Sequence, residues 1–137
     1  MAAIELDKSI SKIVPPLKLF GCLRHLDLSS TANGQCLEDD ISDVIESNIM
    51  LQHLNISKWK LSGLRLMKIT SSIMKLSMLE HLNISCNEIV DEAAVAIAST
   101  IKNNSSLQHL LLNNCNIQEL GIKKIANALR CISFAVS

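Results

Sequence analysis

The four histidines of the chain, His25, His53, His81 and His109, stand 28 residues apart without drift. Imidazole is the commonest metal-binding side chain and titrates near neutral pH, so such a row invites a metal site or a pH switch. Each histidine, however, is the third residue of a segment reading LRHL, LQHL, LEHL or LQHL. Duplication of one ancestral segment would give the same spacing. A straight row also lacks the convergent tetrahedral geometry that zinc favours. No metal and no other cofactor is expected.

Five cysteines, Cys22, Cys36, Cys86, Cys115 and Cys131, make an odd number without a CxxC pair, and read as reduced thiols of a cytoplasmic protein. Cys86 with His81, or Cys115 with His109, suggests a nucleophile and its base, yet no acidic residue is expected to orient either imidazole. GxxxxGK[ST], GxSxG, HExxH and EF-hand loops do not occur, so the usual signatures of phosphate, acyl-transfer and divalent-metal chemistry are missing. The sequence reads as that of a protein without enzymatic activity. The N-x-S sequons at Asn55, Asn83, Asn103 and Asn104 read as chance matches in an Asn- and Ser-rich chain.

Composition narrows the partners. With 137 residues, 48% hydrophobic, four Gly and two Pro, the chain suits one ordered domain with a real core. Thirteen basic residues balance thirteen acidic ones, and no basic stripe is present to hold a phosphate backbone. Nucleic acid is therefore not expected, and Phe20, Trp59 and Phe134 are too few aromatics for base stacking. The start, MAAIELDKSISKIVPPLKLF, has no apolar run of secretory length. No stretch reaches the ~18 to 20 apolar residues of a membrane span, so no membrane partner is expected.

The elements that carry the histidines follow from the leucines around them. Copies beginning at Leu23, Leu51, Leu79 and Leu107 share LxxLxL, in which the fourth and sixth side chains point one way and the third and fifth the other, as in a short strand. After a turn, Ile41 and Ile45, Ile69 and Ile73, Ile97 and Ile101, and Ile125 and Leu129 recur four apart, a helical stripe supported by Leu37, Leu66, Ala94, Ala98, Ile122 and Ala126. Alternating strand and helix predicts parallel strands with helices along one side. Helices ~10 Å across are broader than the ~4.8 Å strand spacing, so the stack must curve with its strands inside. The fold class is α/β, a horseshoe solenoid with a concave parallel sheet and convex helices. Its full repeats are 23–50, 51–78, 79–106 and 107–134. Residues 1–22 read as part of a preceding repeat, with a short helix at about 2–13, and Pro15 and Pro16 spoil its end.

The copy LEHLNISCNEIVDEAAVAIASTI and the copy LQHLLLNNCNIQELGIKKIANALR resemble leucine-rich repeats of the ribonuclease-inhibitor class. In that pattern Asn87 and Cys115 hold the ninth position, where an Asn or Cys satisfies turn backbone groups, and Gly121 precedes the helix. Thr31 and Trp59 depart from it, so less regular turns are expected in the first two copies. Asn33 and Gly34 replace the first copy's eleventh-place aliphatic, a layer left to Cys36 or Leu37. The resemblance implies a module that binds other proteins, as part of a cytosolic immune-receptor-like or other regulatory protein. Its alternatives are a GTPase-activating protein of the Ran type and an actin-capping scaffold resembling tropomodulin.

The expected contact surface is the concave face and its rim, comprising His25, Asp27, His53, Asn55, Lys58, Trp59, Lys60, His81, Asn83, His109, Leu111, Asn113 and Asn114. Trp59 has a second reading, local packing over the gap left by the missing Asn. Ala135, Val136 and Ser137 fall at the first three places of a fifth copy, and such a truncated repeat predicts self-association through an uncapped C-terminal end.

Overall fold

A computed structural model describes residues 3–5, 15–19, 21–30, 38–61, 63–130 and 135–136. Six strands, β1 (Ala3–Glu5), β2 (His25–Asp27), β3 (His53–Asn55), β4 (His81–Asn83), β5 (His109–Leu111) and β6 (Ala135–Val136), form one parallel sheet in chain order. Helices α2 (Glu38–Ser47), α3 (Gly63–Ile73), α4 (Asp91–Asn103) and α5 (Glu119–Leu129) pack each against the next. A shorter helix, α1 (15–19), precedes β2.

Parallel pairing forces each connection to run back along the sheet, and the repeated stripe of isoleucines supplies a helix for that return. Each helix lays its nineteenth-place residue, Ile41, Ile69, Ile97 or Ile125, into the core beside the strand leucines Leu26, Leu54, Leu82 and Leu110. The core thins at the fourth copy. Leu112, Ile117 and Leu129 are only partly buried there, and Ile122, expected on the buried stripe, is 55% exposed. Gly121 allows α4 and α5 to approach, since a Cβ there would meet Ile117 Cγ2 at 2.8 Å and Ala94 Cβ at 2.9 Å.

Both ends depart from the 28-residue register. Residues 3–5, expected in a helix, are a strand because they extend the sheet beside β2, with Ala3 opposite His25. Pro15 and Pro16, expected to spoil a helix end, instead open α1, where a missing backbone donor costs nothing. At the other end Ala135 lies opposite His109 and Val136 opposite Leu110. These residues therefore take the third and fourth places of their strand, two later than expected, and β5 is paired on both sides. Thr31, Asn33, Gly34, Cys36 and Leu37 lie outside the described residues.

The turns after β2 to β5 share one device. The eighth place, occupied by Ser30, Lys58, Cys86 or Asn114, is left-handed in all four copies, with φ of 60°, 61°, 59° and 55°. That conformation costs an L-residue about 1 to 2 kcal/mol. Four different side chains accept it, so the geometry belongs to the repeat and is held by the bonds around it.

The ninth-place side chain supplies such bonds. Asn87 is buried, its Nδ2 donates to the carbonyls of Ile56 and Ile84, each at 3.0 Å, and its Oδ1 accepts from the Trp59 and Leu61 amides at 3.2 and 3.0 Å. Cys115 donates its S–H to the Ile84 carbonyl at 3.4 Å. Trp59, expected to break the pattern, donates its indole N–H to the Leu28 carbonyl. Leu28, Ile56 and Ile84 are all sixth-place residues of the preceding copy. An amide, a thiol and an indole thus satisfy equivalent carbonyls, and the second turn keeps the left-handed geometry of the others.

Candidate functional site

On the concave side the third and fifth places of the strands meet across the sheet: His25, His53, His81 and His109 in one row, Asp27, Asn55, Asn83 and Leu111 in the other. All except His109 line a groove of about 280 Å³. The first three histidines are half-buried and His109 is exposed. Their ring centroids are 4.1, 4.1 and 4.3 Å apart along the row, closer than the ~5 Å of strand spacing alone. The His53–His81 and His81–His109 pairs are stacked, with interplanar angles of 12° and 9°.

The neighbouring row is ordered by its own turn chemistry. Asp27, Asn55 and Asn83 each accept from the amide two residues on, Ser29, Ser57 or Ser85, at 2.9 to 3.0 Å. Asn55 Nδ2 also donates to Asp27 Oδ2 at 3.3 Å. These residues therefore shape the turns as well as facing the groove.

The other expected contact residues separate. Lys60 and Asn114 line a second hollow of about 260 Å³ with Cys86, Asn87, Glu88 and Asn116, while Lys58 and Asn113 are exposed. Trp59 is removed from the contact surface: it is 3% exposed, because its ring fills the core while its N–H satisfies Leu28. The local-packing reading of this residue is the correct one.

The nucleophile readings also meet obstacles. Burial pushes the Cys115 thiol above its ordinary range, and its S–H is engaged with backbone carbonyls. No acidic side chain is hydrogen-bonded to His81 or His109 among the described residues, but one stands near His81. Donor atoms of His53, Glu80 and His81 all lie within 4.8 Å of one another. Glu80 was missed because strict alternation sends the second place away from the third. The backbone departs from alternation here: the Glu80 and His81 amides both bond the Gln52 carbonyl, at 2.8 and 2.9 Å. Two residues against one acceptor is a bulge-like arrangement that re-aims side chains. Arg24 and Glu80 carbonyls each accept a similar amide pair from the next strand, a repeat-wide feature with no signature in residue type.

Partial burial, then the charges of His25 and His81, hold His53 below the ordinary histidine value of 6.5. Burial, then His109, does the same to His81, and Glu80 opposes the shift at both. In the pH window between the depressed folded value and the unfolded one, the unfolded chain binds more protons, so stability rises with pH. The contribution is fully present above about 6.5 and is lost as pH falls through the folded values. Thermal unfolding from pH 8 to 5 should show an acid-side loss that shrinks when all four histidines are changed to Gln. A mutant profile as steep as that of the parent protein would refute the histidine contribution.

With this geometry in place, comparison with known proteins is informative. A family model described as Leucine Rich repeat matches residues 75–98 and 103–126. This chain is built from leucine-rich repeats. None of the curated proteins compared with the sequence matches it. Among solved structures it is similar to Leiomodin-1 Actin-Binding Site 2, with a TM-score of 0.68 at 14% identity, over 91% of this chain and 75% of that one. At that identity the likeness concerns the solenoid fold. Among the described residues no helix is long and apolar enough to cross a membrane.

Proposed function

We propose that this protein is a non-enzymatic, cytoplasmic interaction module that takes a partner protein in the concave groove between its histidine and Asp/Asn rows. The observation that carries this reading is the division of labour along each strand. The fourth-place leucines Leu26, Leu54 and Leu82 are buried and form the apolar floor of the groove, while the third and fifth places supply its walls. A concave sheet surface that combines an apolar floor with polar walls suits protein recognition. The ribonuclease-inhibitor-like class, and a parent of the immune-receptor-like or other regulatory type, rest on the resemblance of the repeats.

An actin-capping role is the second reading, because the solved neighbour is described as an actin-binding site. A Ran-type activator is the third. Self-association is a further proposed contact, and an apolar groove lined by Leu112, Ile117, Ile122, Ile125, Ala126 and Leu129 is its surface.

Pull-downs with purified actin, small GTPases and nucleotide-binding domains distinguish these partners. For whichever binds, His81→Ala with Asn83→Ala should weaken binding at least ~10-fold, as loss of a central contact does. The circular dichroism spectrum should be retained, with about 1 kcal/mol lost with the Asn83 bond to the Ser85 amide. Unchanged binding by that variant, with loss on changing exposed Lys102, Lys123 and Lys124, would move the interface to the convex side.

A further inference from the structure

We propose that His53, Glu80 and His81 form a binding site for one divalent transition-metal ion of the zinc, nickel or copper type. Straight alternation of the strands gives a row of imidazoles and nothing to close it. The paired amides of Glu80 and His81 on one carbonyl change that, by bringing a carboxylate to the same side as two rings. Two nitrogen donors and one oxygen donor then lie within 4.8 Å of one another.

The donor set selects the class of ion. Imidazole nitrogen suits zinc, copper and nickel, whereas magnesium and calcium take oxygen. Two histidines and a glutamate are also a known three-ligand arrangement for zinc, which leaves a fourth position for water or another donor. Zinc–nitrogen bonds of about 2.0 to 2.1 Å at a tetrahedral angle place the two nitrogens about 3.4 Å apart. The His53 and His81 rings are nearly parallel with centroids 4.1 Å apart, so their in-plane lone pairs do not converge, and ligation requires both rings to leave the stack and splay toward the ion.

The site is accessible and its donors are not otherwise committed. All three residues are half-buried, open to solvent on the concave side. Among the described residues their side chains form no hydrogen bond or ion pair; the rings only stack along the row. His25 and His109 extend the row beyond the site, but the three close donors do not include them.

Isothermal titration of the chelator-treated full chain with zinc chloride at pH 7.5 tests the proposal, with magnesium chloride as the contrasting ion. One zinc ion should bind per chain, magnesium should not compete, and zinc should raise the melting temperature. Changing His53 and His81 together to Gln should weaken zinc binding by more than ~100-fold, the upper end of what loss of an outer-shell partner costs. Glu80→Gln, which spares the stacked rings, provides the same test if the double variant does not fold. Cobalt substitution adds a visible absorption band that reports the donor set. Absence of zinc binding below millimolar concentration would overturn the proposal. So would zinc affinity unchanged in Glu80→Gln and in the double variant, which would assign the ion to other donors such as Cys86.

Discussion

Asn87→Ala is expected to be among the most damaging single substitutions in the chain, costing about 3 to 5 kcal/mol. The change strands the Trp59 and Leu61 amides, which share Oδ1, deprives the Ile56 carbonyl of its side-chain donor, and leaves the Ile84 carbonyl with only the weak S–H of Cys115. Each buried backbone group left unpaired costs about 1 to 3 kcal/mol, and water entering a partly opened site recovers some of the sum. A small domain holds only about 5 to 15 kcal/mol in total, so the loss is a large share of the whole. Asn87→Cys gives an informative comparison. A thiol serves the equivalent position at Cys115, donating to Ile84, but it has only a weak acceptor for the two amides. Urea unfolding should therefore rank the native chain first, Asn87→Cys second and Asn87→Ala last. Equal stability of the two variants would show that donation to the carbonyls contributes nothing, whereas an Asn87→Cys variant as stable as the native chain would show that the amide-accepting half of the side chain is dispensable.

Ile97→Ala should cost about 2 to 5 kcal/mol by a different route. Ile97 is 2% exposed on α4, the helix that packs between α3 and α5. Truncation removes its transfer free energy and leaves a cavity that well-packed neighbours fill only in part. Val95 on the same helix is 43% exposed, and Val95→Ala should stay within about 0.5 kcal/mol. A small loss at Ile97, measured by the same denaturation, would mean that the helix layer collapses onto the gap. That outcome is more plausible toward the fourth copy, where burial already thins.

The difference between those two positions also describes what could be read in advance. Ile97 announces itself, because a 28-residue recurrence of isoleucine at helical spacing has no better explanation than a buried stripe. The strand register was legible for the same reason, with His25, His53, His81 and His109 paired in sequence across the sheet. Trp59 was not legible as a substitute for Asn, since an indole satisfies the Leu28 carbonyl by reach and orientation, properties that residue identity at one place does not encode. Glu80 was hidden by a backbone effect: alternation is a rule for regular strands, and the shared carbonyl of Gln52 breaks it one residue before β4. The first strand was missed because it stands 22 residues from its partner instead of 28, outside the repeat that organised the search.

The ninth-place bonds share a direction along the chain. Trp59 reaches Leu28, Asn87 reaches Ile56, and Cys115 reaches Ile84; in each case the donor lies 31 residues after its acceptor. Chains are synthesised from the amino terminus, and folding units form in that order as they emerge. On a ribosome, then, each new copy of this protein would meet a carbonyl that has already been made and already been placed. The fastening group of each of these three junctions arrives last, so growth of this part of the solenoid during translation can proceed one copy at a time without waiting for sequence still inside the exit tunnel.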